Sequence, residues 1–441
     1  MKVVVVGTGF VGVTSSVVYA SFGNQVVGLD RSEEKVAALS QGQVPFYEPK
    51  LTEMLRTGLD SGHLSFTTDY QQAITGADVV IIAVGTPSQA DGSINLDYIT
   101  SSVTSAAPYL ADGVVLAIKS TVLPGTLAHV KSIVQAATQA LVHYASLPEF
   151  LKEGTAVDDT LYPDRIVIGV EDDHAYQVLQ RLHAPLKAPM LRVLPESAQL
   201  AKYASNDYLA LRIVYANLLA DICAHSGADI DEVIKIMGYE QRIGDHYWYP
   251  GLGYGGSCFP KDVKALAAYC HDFFTSDQNL FAFINGLNTK RPTAVIEGLA
   301  GKINGFAGKQ VAVLGLSFKP NTDDQREAPA LSVIPTLLQQ DAQVVSYDPM
   351  VVQIADDSIS ANPAYRQVET INQAVEEADV IIALVEWPQI VGFDFTKTKL
   401  DKPQVFFDAR NQFDAKTLTA AGYQYIGIGR QPKDNPSCVI F

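Results

Sequence analysis

The segment from Gly251 to Asp262 combines the residue types with the clearest chemical potential in the chain. It reads GLGYGGSCFPKD, so Cys258 lies between a glycine-rich bend and a lysine–aspartate pair. The residues that follow are compatible with a helix, and Pro260 suits the first turn of that helix. A thiol at a helix N-terminus beside a lysine ionises more readily, and the thiolate is the nucleophilic form. The pattern predicts a reactive cysteine, with a buried structural cysteine as the alternative.

A reactive thiol has a particular use in the oxidation of an alcohol. Such an oxidation stops at the aldehyde unless a nucleophile adds to the carbonyl group. A thiolate forms a thiohemiacetal, which can lose a second hydride to give a thioester that water hydrolyses to an acid. This chemistry requires a dinucleotide site in the same chain, and one site is enough if spent cofactor exchanges between the two steps.

The N-terminal residues predict that dinucleotide site. An apolar run leads into Gly7-x-Gly9-x-x-Gly12, a helix-compatible segment follows, and the next short strand ends in Asp30. Gly7 permits a tight turn, Gly9 lets the backbone approach a pyrophosphate, and Gly12 lets the helix pack close to the strand. Asp30 would accept hydrogen bonds from ribose hydroxyls and repel a 2′-phosphate, which favours NAD over NADP. Arg31 beside it keeps NADP open as the alternative.

Further strand-like segments place these residues in an α/β fold. Apolar runs within residues 76–87 and 112–126 continue the βαβ pattern, which predicts a doubly wound parallel sheet. The pattern restarts near residue 309, where KQVAVLGLSFK, AQVVSYDP, EADVIIALVEW and PQVFFDARN follow one another. Between the two halves, residues 196–226 contain no Gly or Pro and predict one long helix that ends before Gly227.

The predicted fold class is therefore α/β, with two Rossmann-like doubly wound parallel-sheet domains joined by a long central helix and a helical middle domain. The expected boundaries are an NAD-binding domain at 1–195, a central helical or dimerisation domain at 196–300, and a C-terminal Rossmann-like domain at 301–441.

Composition excludes several classes of protein. The net charge of −16 argues against nucleic acid as a partner. No segment approaches the roughly 18 consecutive apolar residues of a membrane helix, and the N-terminus does not resemble a signal peptide. The spacing of the four cysteines, at positions 223, 258, 270 and 438, fits neither a zinc site nor a small disulfide scaffold. These features predict a cytoplasmic protein with no metal and no membrane partner.

Two pairs of polar residues have the spacing of one helical turn. Glu149 and Glu153 occur in SLPEFLKEG, and Lys202 and Asn206 lie on the predicted long helix. Either pair would share one face if its segment is helical. A lysine and an amide on one face could stabilise a developing oxyanion or hold a water. A solvated surface position is an equally good interpretation of either spacing.

Several segments complete a pattern that spans nearly the whole chain. Besides GTGFVG, they read KSTVLPGT, PEFLKEGTAVDDTLYPDRIVIG, KYASN, RIGDHYWYPGLGYGGSCFPKD, GLSFKPNTDDQREAP and DARN. In these segments the chain resembles the UDP-glucose 6-dehydrogenases, a branch of the UDP-glucose/GDP-mannose dehydrogenase family. The resemblance implies that Cys258 is the nucleophile and that Asp262 and Lys202 assist proton handling and oxyanion stabilisation. Glu149 and Thr121 would position the water or act as the base.

The resemblance also implies residues that bind the cofactor and the substrate. NAD would be met by Gly7, Gly9, Val11, Gly12, Asp30, Lys35, Thr86, Thr121, Glu153, Lys261 and Arg326. The UDP-sugar would be met by Glu149, Phe150, Leu151, Lys152, Lys202, Asn206, Arg242, Tyr247, Trp248, Tyr249, Pro250, Gly251, Gly255, Phe318, Lys319 and Arg410. Asn206 would hold the sugar or the catalytic water, and Arg242 would reach a substrate in the neighbouring subunit.

The implied activity is the four-electron oxidation of UDP-glucose to UDP-glucuronate, with two NADH formed per sugar. The same chemistry on GDP-mannose, UDP-N-acetylglucosamine or UDP-N-acetylmannosamine is the alternative. A dinucleotide-binding regulatory protein without turnover is a hypothesis of a different class, and the intact Cys258, Lys261 and Asp262 argue against it. The long helix and the resemblance both suggest a homodimer.

Overall fold

The computed structural model describes residues 1–398 and 404–431, which form two compact units. The first comprises Met1–Ser205 with Ala268–Asp272, and the second comprises Asn206–Ala267 with the described residues from Phe273 onward. Cys438 lies outside the described residues. The three domain boundaries expected from the sequence stay a prediction.

The first unit contains an eight-stranded sheet in the order β3-β2-β1-β4-β5-β6-β7-β8. All neighbouring strands are parallel except β6 and β7, where Ala145 pairs with Val170 in an antiparallel sense. The strands are β1 Lys2–Val6, β2 Gln25–Leu29, β3 Leu64–Thr67, β4 Val79–Ile82, β5 Val115–Ile118, β6 His143–Ser146, β7 Ile166–Val170 and β8 Met190–Val193. The predicted parallel sheet is confirmed, with one antiparallel pair that the sequence did not predict.

Helices cover both faces of this sheet because its strands are apolar on both sides. Val3 and Val5 pack in one buried cluster with residues of α1, and Val4 and Val6 pack in another with residues of α5 and α6. The helices are α1 Phe10–Ser21, α2 Glu33–Ser40, α3 Leu51–Asp60, α4 Tyr70–Ile74, α5 Asp97–Ala106, α6 Thr126–Ala137, α7 Ala156–Leu161 and α8 Asp173–His183. A short 3₁₀ helix, Ala107–Tyr109, follows α5.

The long helix α9, Pro195–Ser226, begins in the first unit and ends in the second. Gly227 follows it with a φ of 78°, a left-handed conformation that ends a helix readily at glycine. The predicted long helix and its stop are therefore confirmed. Lys202 and Asn206 lie one turn apart on it, as their spacing predicts.

The second unit contains a six-stranded parallel sheet in the order β11-β10-β9-β12-β13-β14. Its strands are β9 Gln310–Leu314, β10 Gln343–Tyr347, β11 Tyr365–Gln367, β12 Val380–Ala383, β13 Gln404–Asp408 and β14 Tyr423–Gly427. The remaining helices are α10 Ile230–Gly238, α11 Phe259–Cys270, α12 Leu280–Lys302, α13 Ala330–Leu338, α14 Asp357–Ser360, α15 Ile371–Val375, α16 Pro388–Val391 and α17 Ala415–Ala420, with a 3₁₀ helix at Phe395–Lys397. The second Rossmann-like sheet is confirmed.

Within the two described ranges, no helix combines the length and the apolar character needed to cross a lipid bilayer.

Candidate active site

The loop after β1 has the geometry of a dinucleotide cradle. Gly7 has a φ of 95°, and a Cβ there would lie 2.8 Å from the Ala83 carbonyl oxygen. A Cβ on Gly12 would lie 1.8 Å from the Gly7 carbonyl oxygen, so α1 can pack this closely only with glycine. A Cβ on Gly9, which precedes α1, would meet nothing within 4 Å. Open backbone at a helix N-terminus is suited to an incoming pyrophosphate.

Asp30 follows β2 and is oriented by the same loop. The Thr8 N–H and hydroxyl donate to its Oδ2 at 2.8 and 2.7 Å, and the Ser32 N–H donates to Oδ1 at 3.1 Å. Burial alone would raise the pKa of Asp30, but these bonds and the charge of Lys35 in α2 outweigh burial and lower it. The carboxylate is therefore ionised and fixed in direction, as recognition of ribose hydroxyls requires.

Other predicted cofactor residues lie in this unit. Val11 is half-buried in the first turn of α1. Thr86 and Thr121 follow the neighbouring strands β4 and β5, and the Thr86 hydroxyl donates to the Thr121 carbonyl oxygen at 3.0 Å. Arg31, which left NADP open in the sequence, lies over the Tyr98 ring with its guanidinium carbon 4.9 Å from the ring centre. Its guanidinium therefore has an aromatic contact inside the unit.

Glu153 lies in the loop before α7, and a buried carboxylate braces that loop. The Gly154 N–H donates to Glu48 Oε2 at 2.7 Å, and the Ala156 N–H donates to Glu48 Oε1 at 2.8 Å. Residues 149–153 are not helical, so the shared helical face considered for Glu149 and Glu153 does not form.

Glu149 instead forms a buried ion pair with Lys202. Lys202 Nζ lies 3.0 Å from Glu149 Oε1, with 4% and 8% of the two side-chain surfaces exposed. The Leu151 N–H donates to the other carboxylate oxygen at 2.6 Å. Burial would raise the pKa of Glu149, but Lys202, the Leu151 N–H and Lys119 outweigh burial and hold the pKa below its ordinary value. Glu149 is therefore an ionised carboxylate at neutral pH.

The side chains next to Glu149 along the chain are fixed by other contacts. The Arg165 guanidinium carbon lies 3.7 Å from the centre of the Phe150 ring, and Lys202 Nζ lies 5.6 Å from it. Lys152 donates to Asp159 from both its backbone N–H, at 2.9 Å, and its Nζ, at 2.7 Å. The sequence named Phe150, Lys152 and Lys202 as substrate residues and did not single out Lys119, although KSTVLPGT contains it.

In the second unit, Cys258 immediately precedes α11, as the sequence predicts. Its carbonyl oxygen accepts the Asp262 N–H at 2.9 Å, which is the first hydrogen bond of that helix. The thiol is half-buried and forms no disulfide with another described cysteine, and its Sγ lies 3.5 Å from the Ser257 hydroxyl. A thiol at this end of a helix lies in the favourable field of the helix dipole, which stabilises a thiolate.

Asp262 is the centre of a buried polar group beside Cys258. Lys261 Nζ donates to its Oδ1 at 2.5 Å, and Asn206 Nδ2 donates to its Oδ2 at 2.6 Å. Asp262 is 1% exposed, and its carboxylate is matched by a cation on one side and an amide on the other. The structure therefore brings together three predicted residues from two separate segments of the sequence.

A second buried carboxyl group lies next to this cluster, and the sequence did not indicate it. Asp207 is 2% exposed, and in the described part of the chain neither of its oxygens has a hydrogen-bond partner. Burial, followed by the charge of Asp262, raises the pKa of Asp207 to about 8, against the effect of Lys261. Asp207 is therefore mainly protonated at neutral pH.

The glycines before Cys258 pack against backbone and rings rather than against open space. A Cβ on Gly255 would lie 2.3 Å from the Glu327 carbonyl oxygen. A Cβ on Gly256, whose φ is 85°, would lie 2.7 Å from the Phe318 ring. A Cβ on Gly251 would lie 3.0 Å from the Ala409 carbonyl oxygen and 3.1 Å from Arg410 Nη1. These contacts hold the predicted substrate residues Gly251, Gly255, Phe318 and Arg410 close together.

The aromatic segment before these glycines is also ordered by contacts. Tyr247 has a φ of 65°, and its ring centre lies 5.6 Å from that of Tyr249. Trp248 Nε1 donates to the Gly244 carbonyl oxygen at 2.9 Å. Pro250 is buried.

The predicted basic residues of this unit have acidic or aromatic neighbours. Arg410 Nε donates to Glu386 at 2.7 Å, and Lys319 Nζ lies 5.4 Å from the Phe318 ring centre. Two exposed arginines pair with acids two residues away, as Arg242 does with Glu240 and Arg326 does with Asp324. The Arg326 carbonyl oxygen also accepts the Gly256 N–H at 2.8 Å, two residues before Cys258.

The cradle, Asp30 and the parallel sheet define a Rossmann-type dinucleotide-binding protein. Models of the UDP-glucose/GDP-mannose dehydrogenase family match the chain with their NAD binding domain at residues 1–187, central domain at 196–289 and UDP binding domain at 312–415.

Known proteins of similar sequence match this chain over nearly its whole length. A UDP-glucose 6-dehydrogenase of Rhizobium meliloti (strain 1021) is 38% identical over 98% of this chain and 100% of its own. A UDP-glucose dehydrogenase structure from Pyrobaculum islandicum is 34% identical, covers 97% of both chains and has a TM-score of 0.89. A UDP-D-ManNAc dehydrogenase structure from Pyrococcus horikoshii is 25% identical, covers 98% of this chain and 99% of its own, and has a TM-score of 0.84. The chain belongs to the UDP-glucose/GDP-mannose dehydrogenase family, is an NAD-dependent dehydrogenase, and takes a nucleotide sugar.

Proposed function

We propose that this enzyme oxidises UDP-glucose to UDP-glucuronate in two steps and forms two NADH per sugar. The observation that carries the proposal is the half-buried Cys258 thiol at the start of α11, next to the Lys261–Asp262–Asn206 cluster. A dehydrogenase that stops at an aldehyde has no need of such a thiol. A four-electron oxidation needs it to hold the aldehyde.

Cys258 takes part in bond formation on the substrate. The thiolate adds to the C6 aldehyde, which forms a C–S bond and a hemithioacetal hydroxyl. Loss of a hydride from carbon and a proton from that hydroxyl gives the thioester. Water then attacks the thioester carbon, the C–S bond breaks, and the thiolate leaves as the carboxylic acid forms. Asp262 and its neighbours handle protons and hold water in these steps.

Lys202 and Glu149 stabilise charge and position water. Lys202 is a buried cation on the rigid helix α9, so its ammonium group can stabilise the oxyanion that develops as the thiol adds. Glu149 is ionised, so it can accept a proton from a water that attacks the thioester. Thr121 is proposed to position water, and Asn206 is proposed to hold water or the sugar.

Bound NAD supplies the hydride acceptor for both oxidations. The Gly7–Gly12 cradle and the α1 N-terminus would hold its pyrophosphate, and Asp30 would orient its adenosine ribose. Thr86, Glu153 and Lys35 belong to the same unit. Lys261 and Arg326, which belong to the second unit, complete the proposed cofactor residues.

The second unit would bind the UDP moiety through Gly251, Gly255, Phe318, Lys319 and Arg410. The close packing at Gly251 and Gly255 shapes the loop before Cys258, and Arg410 brings a guanidinium that suits a phosphate. UDP-glucose is favoured over an N-acetyl sugar because the UDP-glucose enzyme from Pyrobaculum islandicum is more similar in sequence than the UDP-D-ManNAc enzyme. GDP-mannose and the N-acetyl sugars are the alternative substrates.

The stoichiometry of the reaction tests this proposal. Purified protein is incubated with NAD and one nucleotide sugar at a time, and NADH is counted by absorbance against sugar consumed. We expect two NADH per UDP-glucose. One NADH per sugar would remove the thioester scheme, and two NADH from another sugar would change the substrate. No NADH from any sugar would favour a binding protein without turnover.

The Cys258→Ala variant tests the nucleophile. We expect it to bind NAD like the wild type and to form no uronic acid, because the aldehyde has no covalent attachment. Cys223→Ala is the matched control, since Cys223 likewise forms no disulfide with a described cysteine but is buried within the second unit. Normal acid formation by Cys258→Ala would contradict the role.

We also propose that the enzyme is a homodimer that pairs through α9. Tyr208, Tyr215 and Ile222 recur every seven residues on this helix and are 57%, 47% and 60% exposed. An exposed apolar stripe on a long helix is typical of a helix–helix interface. Ile222→Asp should halve the mass measured by light scattering, whereas the exposed Lys397→Asp should not. A wild-type monomer would contradict the proposal.

A further inference from the structure

A cavity of about 180 Å³ in the first unit is lined in part by the buried side chain of Lys119. Tyr19, Lys119, Glu149, Phe150 and His183 contribute to its lining. Glu149 therefore forms an ion pair with Lys202 and shares the lining of this cavity with Lys119, whose charge acts on it. Two buried lysines and one buried glutamate leave this cluster with an excess of positive charge.

Lys119 follows β5 and is 8% exposed, so its ammonium group is held inside the unit. Three elements present titratable groups to it. Glu149 attracts it from the loop after β6, Lys202 repels it from α9, and His183 interacts with it from α8. Burial lowers the pKa of Lys119 to about 8 and outweighs the attraction of Glu149. Lys119 is therefore a cation through the neutral pH range.

The lining also includes the charged side chains Lys152, Asp159, Asp164 and Arg165, whereas Tyr19 and His183 carry no charge. Tyr19 Oη and His183 Nε2 lie 3.0 Å apart in a buried hydrogen bond. Burial lowers the pKa of His183 to about 4 and raises the pKa of Tyr19. Because both are neutral at pH 7, they do not compensate the charge of Lys119.

We propose that Lys119 is a positioning residue for the reaction, which keeps Glu149 ionised from the sheet side while Lys202 contacts it from α9. This inference rests on the proposed function, in which Glu149 accepts a proton and Lys202 stabilises an oxyanion. When Lys202 interacts with the oxyanion, its charge is shared between two anions. A second cation then keeps Glu149 from taking up a proton before the water attacks.

The expected consequence is a change in pH dependence rather than a uniform loss. Lys119→Met keeps the length of the side chain and removes its charge, so Glu149 becomes easier to protonate. With NAD and UDP-glucose, kcat of the variant should fall about tenfold at pH 6 and approach the wild-type value near pH 9. The acid limb of the profile thus moves to higher pH. Lys131→Met is the control, because Lys131 pairs with Glu171 near the surface and should leave the profile unchanged.

A double-mutant cycle separates action through Glu149 from action on the substrate. If Lys119 acts through Glu149, Lys119→Met should change kcat by less than about twofold in the Glu149→Gln background. A similar loss in both backgrounds would overturn the proposal, because Lys119 would then act elsewhere. Lys119→Gln provides a second neutral variant if the methionine variant fails to fold.

Thermal melting and NAD titration complete the test. Both lysine variants should bind NAD within about twofold of the wild type, because Lys119 does not belong to the cradle. An equal loss of kcat at every pH with a lowered Tm would show a structural role and overturn the inference. An active wild type with an unchanged Lys119→Met profile overturns this inference alone. A wild type that yields no NADH from any nucleotide sugar overturns the proposed function and this inference with it.

Discussion

In each unit, the sheet's first strand along the chain is followed by a glycine with a left-handed backbone. The two segments after these glycines differ in how soon a helix begins. Gly7 and Gly315 have φ values of 95° and 102°. A Cβ on either glycine would clash with a residue just after the neighbouring strand. That residue is Ala83 in the first sheet and Val385 in the second. After Gly7, α1 begins at Phe10, whereas the next helix after Gly315 begins only at Ala330. Only the first glycine therefore leads directly into a helix N-terminus.

The acidic residue after the second strand of each sheet shows the same contrast. Asp30 is half-buried, and its hydrogen-bond donors come from Thr8 and Ser32. Asp348 is buried and accepts from loop N–H groups and from Trp387 Nε1 at 3.2 Å. Asp348 thus stabilises its own loops, while Asp30 keeps the exposure that ribose binding needs. The strand order is repeated, and the loops decide which sheet binds NAD.

The largest expected effect comes from filling the cradle of the first sheet. Gly9→Val adds a side chain where nothing lies within 4 Å, so the fold should tolerate it. The added atoms occupy the space of the pyrophosphate, and NAD affinity measured by fluorescence titration should fall about 100-fold or more. Gly286→Ala in α12 is the matched control, because its Cβ would also meet nothing within 4 Å. A Gly9→Val variant that binds NAD normally would contradict the assignment of the cradle.

Replacing each of the two acidic residues, Asp30 and Asp348, by alanine gives the next largest effect. Asp348→Ala leaves several buried donors without an acceptor, so the free energy of unfolding should fall by about 3 kcal/mol. Asp30→Ala should instead weaken NAD binding about tenfold with a smaller loss of stability. Denaturant unfolding and NAD titration of both variants check this. Weaker NAD binding in Asp348→Ala, at a temperature where it is folded, would break the contrast.

Sequence reasoning found the cradle because its constraints are local. Gly7, Gly12 and Asp30 occur at fixed positions around one strand and one helix. Their spacing in the sequence is therefore enough to predict their arrangement in the fold. The same holds for Cys258, whose place before α11 follows from the helix-compatible residues after it. The continuous apolar runs of the strands likewise predicted both parallel sheets.

Contacts between distant elements could not be found in this way. Spacing suggested Glu153 as the neighbour of Glu149, but residues 149–153 are not helical and Glu149 pairs with Lys202. Lys119 and Asp207 were missed because only burial distinguishes them from ordinary polar residues. The antiparallel pairing of β7 was missed because short strands carry no signal of direction.

Two buried carboxyl groups extend the comparison of the units to pH dependence. Glu149 has cations beside it and a lowered pKa, whereas Asp207 has no hydrogen-bond partner among the described residues and a pKa of about 8. Folded Asp207 keeps its proton up to about pH 8, while the unfolded chain releases it near pH 4. The stability it contributes is therefore present below the unfolded value and is lost as pH rises through 8.

Asp207→Asn removes that titration. We expect its Tm to exceed the wild-type value by about 2–4 °C at pH 9 and to match it more closely at pH 5. Glu149→Gln should behave in the opposite sense, because a lowered pKa contributes stability that is present above the unfolded value and is lost on acidification. Differential scanning calorimetry measures the Asp207 effect between pH 5 and 9 and the Glu149 effect below its ordinary pKa of 4.5. Parallel curves for the wild type and Asp207→Asn would contradict the raised pKa.

The smallest expected effects come from the hydroxyl groups that orient the two acidic residues. The Thr8 hydroxyl donates to Asp30 at 2.7 Å, and the Ser317 hydroxyl donates to Asp348 at 3.2 Å. Thr8→Val keeps the shape and the Thr8 N–H bond, so Asp30 should lose only part of its orientation. We expect NAD to bind about fivefold more weakly, which corresponds to about 1 kcal/mol.

Ser317→Ala should lower the free energy of unfolding by about 1 kcal/mol and leave NAD affinity unchanged, because Asp348 accepts its hydrogen bonds from loops of the second sheet. NAD titration and denaturant unfolding of Thr8→Val and Ser317→Ala distinguish the two roles. A hydroxyl that orients a cofactor-binding residue affects NAD affinity, and a hydroxyl that supports a loop affects stability. If Ser317→Ala weakened NAD binding as much as Thr8→Val, the second sheet would contribute to the cofactor site. In that case the loops after the first strand would not be what distinguishes the two sheets.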